Sequence, residues 1–82
     1  MLTSSQIRAA RGMLAWGPED LARKIGSTRQ TINRLERFEG IPQTRTQTLL
    51  DIQTAFEEAG LEFIGTADNG PGVRFRPKSG AV

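Results

Sequence analysis

Eighty-two residues suffice for one small domain with a modest apolar core, and the net charge of +2 is slight for a chain whose pI is about 9.9. The chain holds no cysteine, histidine or tyrosine, so disulfides, thiolate or imidazole metal sites and the commonest general base are all excluded, and a reducing compartment is compatible. No apolar run approaches the roughly 18 residues of a membrane span and no secretory leader pattern opens the sequence, so a soluble, cytoplasmic, nucleoid-associated protein is expected. The charge is unevenly spread. Residues 1–45 carry eight basic against four acidic side chains (net +4), and residues 46–82 carry three against five (net −2). A phosphate-binding surface belongs in the first half.

In chain order, a first helix is expected from a Thr3 or Ser4 cap to about Leu14, with Ile7, Ala10 and Leu14 spaced to face inward. Gly12 inside it costs roughly 1 kcal/mol against alanine. After Trp16, Gly17-Pro18-Glu19-Asp20 reads as a second helix start, with proline at the first helical position and acids in the first turn. Its apolar pair is Leu21 and Ile25.

Gly26 can end that helix in the left-handed conformation, and Thr28 can cap the next one. At about 100° per residue, Ile32, Leu35 and Glu36 of this third helix fall on one side. Gln30, Asn33, Arg34 and Arg37 fall on the other, with no carboxylate among them. Arginine and the side-chain amides match the acceptor and donor edges of guanine and adenine. A solvated polar face is the plain alternative. Phe38 is expected as a core satellite packing on the 41–46 loop, with an exposed partner-binding residue as the alternative, and Gly40 closes the helical stretch. From about Arg45 a fourth helix carries Leu49, Ile52, Phe56 and Ala59 inward and stops at Gly60.

The period then changes. Leu61-Glu62-Phe63 and Val73-Arg74-Phe75-Arg76 alternate apolar and polar around the turn-rich segment 66–72, which predicts a β-hairpin. Both strands are edges, and an isolated ribbon is marginal in water. The hairpin over 61–77 is therefore expected to join two copies through Leu61, Phe63, Val73 and Phe75. Residues 78–82 are expected to be a disordered tail.

The stretch LARKIGSTRQTINRLER, with Leu-Ala, a turn glycine, a Ser/Thr cap, a polar pair, a β-branched core residue and Leu-Glu, resembles the helix-turn-helix of the Cro/C1-type (XRE family) transcriptional regulators over roughly residues 4–60. The resemblance implies a mainly α fold: a four-helix helix-turn-helix domain over 1–60, here followed by the C-terminal hairpin. It implies that Thr28, Arg29, Gln30, Asn33 and Arg34 contact bases; beside them Arg37, with Arg45 or Lys24, is expected on phosphates. Arg11 and Glu36 match a partly buried structural salt bridge of that family. Two departures stand out: Gly17-Pro18 replaces the usual Ser/Thr cap and phosphate-binding glutamine, and Phe38 stands where Gly or Asn is common.

The function expected is a sequence-specific double-stranded DNA-binding regulator. It would act as a homodimeric repressor or autoregulator on a palindromic operator, with no cofactor and no metal. An antitoxin paired with a toxin, or an interaction module that does not bind DNA, are the alternatives. An enzyme is not expected, because the sequence has no His, Cys or Tyr, no Gly-rich phosphate loop and no paired acids at a plausible separation.

Overall fold

The computed structural model describes residues 1–77; the tail expectation for 78–82 lies outside them. Four helices, α1 (Ser4–Met13), α2 (Pro18–Ile25), α3 (Arg29–Leu35) and α4 (Thr46–Glu58), precede a two-stranded antiparallel sheet of β1 (Leu61–Thr66) and β2 (Asn69–Phe75). About half of the chain is helical.

Local chemistry sets most boundaries. Thr3 caps α1 through its hydroxyl, which accepts from Gln6 N, while the Gln6 carboxamide oxygen accepts from Thr3 N at 2.9 Å, a reciprocal pair that satisfies two orphan donors. α2 starts on Pro18, with the Asp20 carboxylate accepting from Gly17 N at 2.7 Å; glycine has no side chain to return the bond. Gly26 leaves α2 at φ +68°, a conformation glycine adopts without steric penalty. α4 ends at Glu58, and Gly60 turns the chain into β1.

The helices enclose one cluster. Ile7, Ala10, Leu21, Ile32, Leu35, Ile52, Phe56 and Leu61 are fully buried, and Trp16, Ile25, Phe63 and Val73 pack around them. The aromatics form a short train: Trp16 stacks on Phe56 with centroids 5.5 Å apart, and Phe56 meets the Phe63 edge at 5.9 Å. Such pairs add roughly 0.5–1.5 kcal/mol each beyond the area they bury.

Leu61 pairs with Phe75, Glu62 with Arg74, Phe63 with Val73 and Ile64 with Gly72, and the register slips by one residue before Thr66 meets Asn69. Gly65 sits in that irregularity at φ +75°, where a Cβ would collide with the Gly70 carbonyl. Only glycine closes the turn this way.

The hairpin leans on its own domain. Gln6 reaches it with its carboxamide nitrogen, which donates to the carbonyls of Ile64 (3.3 Å) and Gly72 (3.0 Å). One expectation is corrected here. Leu61, assigned to a face shared between two copies, is 0% exposed and completes the domain's own core. Phe63 and Val73 are half-buried against the same core, so of the four only Phe75, 58% exposed, stays uncovered. The inward side of the hairpin covers the end of the helical cluster because the chain enters β1 directly from α4.

Candidate nucleic-acid interface

α3 is held at both ends and along one face. Thr28 is its N-cap, accepting from Thr31 N at 3.2 Å, and Ser27 N donates back to Ala22 O at 2.8 Å, so the turn between α2 and α3 is bonded to both helices. Ile32 and Leu35 anchor the inner face at 0% exposure. The last carbonyls of a helix have no partner of their own, and here α1 supplies donors to two of them and to the loop beyond. Ser4 Oγ donates to Leu35 O at 2.5 Å, an Arg8 guanidinium nitrogen donates to Glu36 O, and Ser4 N donates to Gly40 O at 2.9 Å.

The Arg11–Glu36 bridge locks the same end. Nε and Nη2 of Arg11 each lie 2.8 Å from one Glu36 oxygen, and Nη1 donates to the Trp16 carbonyl at 2.9 Å. Glu36 is 7% exposed. The hydrogen bonds donated to Glu36, with the attraction of its charge, hold the guanidinium above its ordinary pKa against the opposing effect of burial. Both ends and the inner stripe of α3 are thereby fixed, and its outer stripe meets solvent.

On that outer stripe Arg29, Gln30, Arg34 and Arg37 are exposed and Asn33 is half-buried. The ion pairs among the described residues are Arg11–Glu36, Arg23–Asp20 and Arg74–Glu62, so none of these arginines is tied to a carboxylate. Arg37 lies beyond the α-helix, which ends at Leu35 with Glu36 as C-cap; Arg37 N bonds Arg34 O in a tighter turn. Arg45 is the N-cap position of α4 and makes no side-chain cap. Between α3 and the first turn of α4 lies a cleft of about 360 Å³ that Arg34 and Arg45 both line.

Three of the expected contact residues make contacts within the chain. Thr28 donates its hydroxyl proton to Thr31 Oγ1 at 3.0 Å and accepts from Thr31 N, so it serves the helix cap before it can serve a base. Lys24 places its ammonium 5.4 Å from the centroid of the Trp16 ring and lines a cleft with Asp51 and Glu58 between α2 and α4, instead of standing beside α3. Arg34 donates to Gln43 O at 3.3 Å. Phe38 is half-buried and does not join the core.

Sequence reading missed Ser4, Arg8 and Gln6. The Thr3-x-x-Gln6 spacing was a usable capping-box signal for the last of them; the first two act across 28 or more residues and carry no local mark. Among the described residues no group of His, Cys, Asp or Glu is placed to hold a metal ion, and no helix is long and apolar enough to cross a membrane. No protein-family model matches the chain, and no curated protein does either.

Proposed function

We propose that this chain is a sequence-specific double-stranded DNA-binding regulator of helix-turn-helix type, with α2 and α3 as the motif and α3 as the reading helix. The observation that supports it is the outer stripe of α3. Arg29, Gln30 and Asn33 stand free of carboxylate partners on a helix braced at both ends, next to the uncommitted cations Arg37 and Arg45. Rigid placement matters because bidentate reading of a base edge tolerates little displacement, and a helix free to rock would lose the discrimination of roughly 1–3 kcal/mol per base pair. Arg29 and Gln30 open α3, the end that such helices direct into the major groove.

A single helix of this size reads only a few base pairs, so the protein acts as a homodimer on a palindromic operator, with the exposed part of the hairpin as the contact between copies. Phe75 on one face of the hairpin and Ile64 (42% exposed) on the other remain uncovered there, beside the outer strand edges. The test is selection from a random duplex library with the full chain. A palindromic consensus with half-sites about one helical turn apart is expected; recovery of no enriched sequence at low salt would sink the reading.

A further inference from the structure

We propose that Arg34 and Arg45 together clamp one phosphate of the DNA backbone, and that Arg34 does not read a base. The inference rests on the DNA-binding reading and assigns a different task within it. Arg34 and Thr31 are three residues apart on α3 and so share a stripe. Both line the cleft between α3 and α4, together with Arg45 and the hydroxyl residues Ser27, Thr44 and Thr48. The Arg34 guanidinium donates to the Gln43 carbonyl at 3.3 Å, next in sequence to Thr44 of the cleft lining.

Two features make the cleft suit a phosphate better than a base edge. Guanidinium groups donate only, and hydroxyls can donate, so the lining offers a tetrahedral oxyanion several donors at once. A base edge presents donors and acceptors in one plane, and an arginine reads it by aiming its fork there; one Arg34 N–H is already directed at the Gln43 carbonyl. Asp51 also borders the cleft, where it accepts from Gln47 Nε2 at 2.8 Å, and two arginines against this one carboxylate leave a net charge of +1. The clamp would fix how α3 is seated over the groove, leaving sequence choice to Arg29, Gln30 and Asn33.

The experiment measures binding of the full chain, as wild type, Arg34→Ala, Arg45→Ala and Gln30→Ala, to its selected operator and to a scrambled duplex over a series of salt concentrations. Circular dichroism confirms that each variant is folded. Under the clamp, Arg34→Ala and Arg45→Ala each weaken both duplexes several-fold. Each reduces the salt slope by about one and leaves the operator-to-scrambled ratio unchanged, whereas Gln30→Ala lowers that ratio about fivefold or more. If Arg34→Ala lowers the ratio with the slope intact, Arg34 reads a base and the proposal fails. It fails also if Arg34→Ala changes neither quantity. Failure of the wild-type chain to bind any duplex would remove the DNA reading itself and the clamp with it.

Discussion

Arg11 grips Glu36 with two parallel hydrogen bonds of 2.8 Å, tying the last turn of α1 to the end of α3 across 25 residues of chain. Because Glu36 is almost wholly enclosed, removing Arg11 alone strands a carboxylate in the interior, at about 3 kcal/mol, and Glu36→Ala strands less because Arg11 is 23% exposed. An apolar double replacement such as Arg11→Met with Glu36→Leu should recover much of the loss. Urea denaturation of the four-member cycle checks this, and additive losses would deny the coupling.

Base reading makes a second set of expectations. Arg29→Ala and Gln30→Ala should each reduce specific affinity by about 1–3 kcal/mol and relax one base position per half-site. Arg37→Ala, past the helix end, should weaken specific and random duplexes together. Repeating the library selection with each variant reads out the outcome directly. Unchanged consensus sequences for Arg29→Ala and Gln30→Ala would take both residues out of the reading set.

Gln6 joins a cap to a sheet, and its two ends can be separated by substitution. Gln6→Glu keeps an acceptor for Thr3 N but sets a carboxylate against the carbonyls of Ile64 and Gly72, so the hairpin should loosen while α1 stays capped. Gln6→Leu loses both and leaves buried Thr3 N unpaired, a cost of about 1–3 kcal/mol. Amide hydrogen exchange distinguishes them: hairpin protection should fall in both variants, and protection at the start of α1 only in Gln6→Leu.

The chain lacks histidine and cysteine, the side chains that ordinarily titrate between about pH 6 and 9. Arg11 is raised in the folded state, so its contribution to stability is fully present below its unfolded pKa and is lost only as pH rises through the still higher folded value. Both facts lead to one expectation. Unfolding free energy should be nearly flat from about pH 6 to 9, and a bell-shaped or stepped profile in that window would contradict it.

What the sequence made legible was local. The Thr28 cap, the Gly26 turn, proline at the start of α2 and the apolar spacing of α4 each depend on residues within a turn or two of one another, and the observed elements follow them. The alternation of Leu61, Phe63, Val73 and Phe75 correctly sorted them to one side of a hairpin but said nothing of what would cover that side. Leu61 went to its own core because α4 delivers it there within two residues of Ala59. The site was legible as a stripe of side chains and illegible as a set of roles. Lys24 found the Trp16 ring, Arg34 the Gln43 carbonyl, and Ser4 and Arg8 the end of α3, all through contacts that no spacing announces.

The hairpin supplies the last prediction. With Leu61, Phe63 and Val73 committed to the domain, deleting the whole hairpin would open the core and confuse folding with association. Phe75 and Ile64 allow a cleaner test, since both are exposed and neither belongs to the buried cluster. Phe75→Glu with Ile64→Lys should leave the unfolding free energy within about 1 kcal/mol of wild type, as surface substitutions usually do. The register sets Phe75 and Ile64 on opposite faces of the sheet, so the pair probes both; if two copies meet through either face, burying a charge there should dissociate them. Sedimentation would then report a dimer for the native chain and a monomer for the variant, and binding to a full palindrome would lose cooperativity while binding to a half-site stayed the same. A variant that still sediments as a dimer, or a native chain monomeric at tens of micromolar, would place the contact between copies elsewhere on the domain or confine it to the DNA.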